Sequence, residues 1–172
     1  MMIRPQHIIR SVLADRRGVS TVEFAFVTVF ILIIMMGMLD LANYILQKQN
    51  LEKSLSETSV SAFTSAENVP FANIPAFVRN AVDEPGATVT VTCNGNLTTC
   101  GNTSRTCACL STAGTFSGSD CTSTCSGSSY STGAHPGYFI TIAASYDYNP
   151  LVVPSALFGA SRISGSITVR LQ

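Results

Sequence analysis

Glu23 is a carboxylate in a costly place. The sixteen residues that follow it, Phe24 to Leu39, read FAFVTVFILIIMMGML, with Thr28 as the polar interruption. An ionised group at the edge of such a run is expensive unless it is paired or lies close to headgroups. Two chemistries fit. Glu23 can mark the membrane edge and snorkel outward. Alternatively, it can meet a cation made by cutting the chain. A cut between Gly18 and Val19 leaves an α-ammonium on Val19, four residues before Glu23. Positions i and i+4 share a helix face. The carboxylate could then pair with that ammonium or with a neighbouring chain's. A desolvated charge would gain a partner, and two copies would gain a register mark.

The second set of reactive groups is six cysteines: Cys93, Cys100, Cys107, Cys109, Cys121 and Cys125. In an oxidising compartment they can form three bridges, and six cysteines allow 15 connectivities. Cys107 and Cys109 are awkward partners for one another, so each is expected to bond elsewhere. Every closed loop would remove ~2–4 kcal/mol of unfolded-chain entropy. Zinc would want paired ligands at finger spacing, and these gaps are irregular. Redox catalysis would want C-x-x-C at a helix start, which is absent. No metal or cofactor is therefore expected. His7 falls in the basic leader and His135 in a turn-like Gly-Ala-His-Pro-Gly. There is no phosphate loop, carboxylate cluster or nucleophile elbow, and no enzyme is expected.

The elements that hold these groups follow from hydropathy and charge. Hydrophobic residues make up 46% of the 172 and charged residues 12%. Ten basic and ten acidic side chains cancel, and no basic stripe with interleaved aromatics appears. Nucleic-acid binding is set aside. The apolar run, extended through Gly18–Val22 and Leu41-Ala42, is long enough to cross ~30 Å of hydrocarbon at ~1.5 Å per residue. A soluble helix of that composition would lack a solvent face. Arg4, Arg10, Arg16 and Arg17 precede it against a single Asp15, and no basic excess follows. Lys and Arg stay cytoplasmic, so the N-terminus is expected inside and the rest outside. A conventional cleaved signal peptide fits poorly, because the apolar core is too long and no small-x-small site follows at once.

Beyond the span, Leu41, Tyr44/Ile45, Leu51 and Leu55 recur at helical spacing, with Gln47, Asn50 and Glu57 opposite. One helix is expected to continue to about Phe63, its stripe packing on the chain's own domain. Pro75 suits the first turn of a short helix to about Val82, and Glu84-Pro85-Gly86 a turn. Strands are expected at Thr88–Thr92, Tyr138–Tyr146 and Ser166–Leu171, with punctuation at Asn149-Pro150 and Phe158-Gly159-Ala160. Between Cys93 and His135 the chain is rich in Ser, Thr, Gly and Asn, which cannot build a large core. A disulfide-stapled insertion is expected there. The expected fold is α+β: a long N-terminal helix packed on a small antiparallel sheet. The expected division is a leader over 1–18, a span over 19–42, a stem over 43–66 and a head over 67–172.

The stretch Arg16-Arg17-Gly18, then Val19 to Phe24 with Glu23 at the fifth position after the cut, resembles a class III (type IV-like) prepilin site. Asp15 to Ala25, followed by an apolar run ending Gly37-Met38-Leu39-Asp40, is similar to the N-terminal signature of the TadE/TadG-like family. These are minor pseudopilins of the Tad (Flp) tight-adherence pilus system. Tyr146-Asp147-Tyr148-Asn149-Pro150-Leu151 is similar to that family's aromatic-Pro-Leu element. The resemblance implies a pilin-like fold, cleavage after Gly18 by an aspartic prepilin peptidase of the bacterial inner membrane, and recognition through Arg16, Arg17, Glu23 and Phe24. It also implies other pilin subunits and the Tad assembly machinery as partners. Two other readings stand beside it: an uncleaved, membrane-anchored binding module, and a membrane-tethered thiol enzyme.

Overall fold

The computed structural model describes residues 17–95, 100–152 and 162–171, and of residues 17–19 the backbone alone. Residues 1–16 of the expected leader, with Arg16 and His7, lie outside the described residues, as does Phe158-Gly159-Ala160.

Helix α1 runs from Arg17 to Thr64. No proline falls between those residues, so nothing removes a donor from the ladder. Its 48 residues make a rod of ~72 Å. The polar Thr28 is accommodated inside it, its hydroxyl donating to the Phe24 carbonyl at 2.8 Å. Helix α2, Ile74–Val82, carries Pro75 in its first turn, where a missing N–H costs nothing. It ends at Asp83, whose φ of 55° is left-handed. The Ala87 N–H then bonds back to the Glu84 carbonyl at 3.0 Å and closes the expected turn.

The head is a three-stranded antiparallel sheet in the order β1-β4-β5. Strand β1 is Thr88–Cys93, β4 is Phe139–Asp147 and β5 is Arg162–Arg170. Strands β2, Cys107–Leu110, and β3, Phe116–Ser119, form a separate hairpin inside the cysteine-rich insertion. The register explains the core. Cys93, Ile140 and Val169 align across the sheet, as do Val91, Ile142 and Ile167, then Val89, Ala144 and Gly165, then Tyr146 and Ile163. Side chains alternate along a strand, so all of these share one face. That face packs on α1 and α2. The opposite face is mostly Thr and Ser, with Thr92, Thr141 and Thr168 in one row.

Two expectations need correction. Strand β5 begins at Arg162 rather than Ser166. Ser164 and Gly165 hid the alternation, but Ile163 is fully buried beside Tyr146, and Arg162 bonds Asp147 at 3.1 Å. The helix stripe was also misplaced. Leu51 and Leu55 are buried, but Leu41 and Ile45 are about half exposed. The packed face runs Asp40, Tyr44, Gln47, Leu51, Ser54, Leu55, Thr58 and Ala62. Small and polar residues hold several of these positions, Ser54, Thr58 and Ala62 among them. A hydropathy pattern passes over them. The Thr58 hydroxyl is satisfied within α1, donating to the Ser54 carbonyl at 2.7 Å.

At Gly165 helix and sheet approach closely. A Cβ built there would lie 3.1 Å from Leu55 Cδ1 and 3.6 Å from Leu51 Cδ2. Gly165→Val should therefore overpack this contact and destabilise the head by about 1–3 kcal/mol. Urea unfolding of the detergent-solubilised chain checks this. An unchanged midpoint would show that the helix–sheet contact has slack.

Candidate functional site

From Val22 to Leu39 helix α1 stays bare. Phe24, Phe26 and Phe30 are 72%, 75% and 67% exposed. Among the described residues α1 is the helix long and apolar enough to cross a membrane, by length and composition. Gly18 and Val19 lie in its first turn, and Glu23 one turn later, exposed on the same rod. The ion pairs among the described residues are Lys48–Glu52, Lys53–Glu57 and Arg162–Asp147, and none involves Glu23.

At Asp40 the surroundings change. Its side chain is fully buried. The carboxylate accepts the Leu151 N–H at 2.8 Å and the Val152 N–H at 3.2 Å, and the Tyr148 hydroxyl donates to the Asp40 carbonyl at 2.8 Å. The Tyr148 ring stands edge-on to Tyr44, one turn further along α1, with centroids 5.4 Å apart. Tyr146, two residues back on the same face of β4, donates to the Gln47 carbonyl at 3.3 Å. The end of β4 is therefore clamped to two successive levels of the helix. Carboxylate-to-amide bonds of this kind are about twice as strong as neutral ones.

The far end of α1 is held by the insertion. The Asn102 side chain accepts the Val69 N–H at 2.9 Å and donates to the Val69 carbonyl at 3.1 Å. Arg105 donates to the Ala66 carbonyl just beyond the helix end and lies over the Tyr138 ring at 5.0 Å. A cation there also suits the negative end of the helix dipole.

The six cysteines pair as Cys93–Cys100, Cys107–Cys121 and Cys109–Cys125. Cys107 and Cys109 stand two apart on β2, so both sulfurs point to one face. The chain after β3 crosses that face and meets them in turn. Ala108 bonds Gly137 in both directions, at 2.9 and 3.0 Å, which fastens the hairpin to the approach to β4. Phe116 packs on Phe139, with centroids 5.8 Å apart. Gly95, at φ +76°, allows the close approach, since a Cβ there would meet Phe116 Cδ2 at 2.9 Å. With every cysteine bonded, the chain carries no thiol nucleophile. His135 is exposed.

The TadE-like protein family model matches residues 18–59. That segment is similar to the TadE-like family. No curated protein and no solved structure matches the chain. The TadE-like match covers the bare rod, Glu23, Asp40 and the first turns packed by the head. The match covers 42 of the 172 residues, about a quarter of the chain. Sequence reasoning missed the role of Asp40, which it named only as the end of the apolar run, and the roles of Asn102 and Arg105. The available signal for Asp40 was the Tyr-x-Tyr-Asn-Pro-Leu stretch, which needs a partner on the helix.

Asp40→Ala strands two backbone donors and should cost the head about 1–3 kcal/mol. Asp40→Asn keeps one acceptor oxygen and should cost less; thermal melts rank the two. Burial, and secondarily the Asp40 charge, raises the Tyr148 phenol above its usual value. Burial and then Glu84 do the same to Tyr146. Unfolding lets both phenols ionise near their ordinary pKa, so above about pH 10 the unfolded state binds fewer protons and stability falls with rising pH. Tm should hold below about pH 9 and drop above about pH 10, less steeply in Tyr148→Phe.

Proposed function

We propose that this chain is a minor pilin-like subunit that takes part in assembling a Tad-type adhesion pilus. In this reading it is made as a precursor in the bacterial inner membrane, with residues 1–18 as a cytoplasmic leader and residues 19–42 as the span. The head from residue 67 onward lies outside, joined by the stem over 43–66. Prepilin peptidase cuts between Gly18 and Val19, guided by Arg16, Arg17, Glu23 and Phe24. The observation that carries this most directly is Glu23. It sits one turn after Val19 on a bare apolar rod, inside a TadE-like match that begins at residue 18. The cut supplies the α-ammonium that a carboxylate in this position needs. Paired across two chains, the two groups set the stagger of neighbouring helices, while the bare Phe, Ile and Met side chains pack between them.

The head supports a structural role. Its cysteines are all bonded, and its insertion is fastened at Ala66 and Val69, just beyond the end of α1. A rigid cap on a rod suits a subunit that must present one surface in one orientation.

N-terminal sequencing of the membrane-fraction protein should read from Val19. Glu23→Ala should insert normally and lose assembled pili. An intact Met1 would favour the uncut, anchored binding module instead. Normal piliation in Glu23→Ala would remove the pairing mechanism even if the cut occurs.

A further inference from the structure

The Asp40 clamp sets the depth of the loop it holds. On a helix every side chain leans toward the N-terminus, so the Asp40 carboxylate lies on the span side of its own Cα. The Leu151 and Val152 N–H groups reach it there, at 2.8 and 3.2 Å. Leu151 and Val152, the last described residues of the loop and here called its tip, therefore lie at the level of the last apolar turn of α1. Twenty residues from Val19 at ~1.5 Å each cover ~30 Å, which places the outer hydrocarbon boundary at about the same turn.

What the loop presents at that level is apolar. Leu151 is 75% exposed and Val152 46% exposed. Leu39 and Leu41 flank Asp40 in sequence and are 58% and 51% exposed, so the rod is greasy on both sides of the clamp. Tyr148, Asn149, Pro150, Leu151 and Val152 carry no charge, and the Asp40 carboxylate is covered. An apolar pair continuous with a membrane span, on a stretch that carries no charge from Tyr148 to Val152, fits a lipid surface.

We propose that Leu151 and Val152 rest in the outer-leaflet interface as a second membrane contact. The head is then held at two points, by the span and by this tip, which fixes its tilt before assembly. This rests on the reading of α1 as a membrane span, and the test separates the two.

The chain contains no tryptophan. Single-tryptophan variants of the full chain can therefore be read in phosphatidylcholine vesicles with and without brominated acyl chains. Phe30→Trp reports the span. Ala113→Trp, in the exposed β2–β3 turn, reports water. Leu151→Trp and Val152→Trp report the tip. Both tip variants should emit at shorter wavelength than Ala113→Trp and lose most of their intensity to bromine. If Phe30→Trp is quenched while both tip variants behave like Ala113→Trp, the tip contact is wrong and the span stands. A blue shift at the tip without bromine quenching means that protein covers it, which also overturns the proposal. An unquenched Phe30→Trp removes the span and the tip contact together.

Discussion

A single helix must satisfy two surroundings, and the change between them falls at Asp40. Up to Leu39 the rod can be stable in hydrocarbon because its backbone bonds are internal and its side chains are apolar. From Asp40 onward one face of the same rod is covered by the head. A carboxylate suits that border, since it is unfavourable in lipid and favourable where backbone N–H groups converge on it. The clamp to Leu151 and Val152 therefore fixes both where the head begins and how far down the rod it can slide. Packing then follows. Leu51 and Leu55 fill the space over Gly165 and Ala144, and Tyr146 and Tyr148 tie the end of β4 to the helix backbone.

The cysteine-rich insertion solves a different problem. Its composition offers few large apolar groups, so hydrophobic burial alone would not order it. Covalent bridges supply what burial does not. The Cys93–Cys100 bridge holds the chain end that carries Asn102 and Arg105, and those two side chains close the end of α1. The other two bridges shape a hairpin that rests on Phe139 through Phe116. The rod is thus fastened near both ends of its covered length, at Asp40 and around Val69.

Some of this was legible in the residues alone. The unbroken apolar run, the absence of proline between Arg17 and Pro70 and the alternation of Thr88–Thr92 announce the rod and the first strand, because each is a local pattern. The roles proposed for Glu23 and the Gly18-Val19 step rest on local patterns too. Asp40 was not, because its meaning depends on a loop more than a hundred residues away. The packed face was misread at Leu41 and Ile45 for a related reason. Ser54, Thr58 and Ala62 are buried on that face, and a hydropathy pattern passes over small and polar residues. The β2–β3 hairpin escaped notice because its ordering comes from the disulfide pairing, which spacing cannot choose among 15 possibilities.

The central claim is that Asp40 holds the head to the rod at the end of the span. Residue-resolved hydrogen exchange of the full chain in lipid nanodiscs tests it most directly. Leu151 and Val152 belong to no strand or helix, yet their amides should exchange as slowly as those of β4. Exchange at the rate of the open turn around Ala113 would contradict the clamp, and with it the account of where the head meets the membrane.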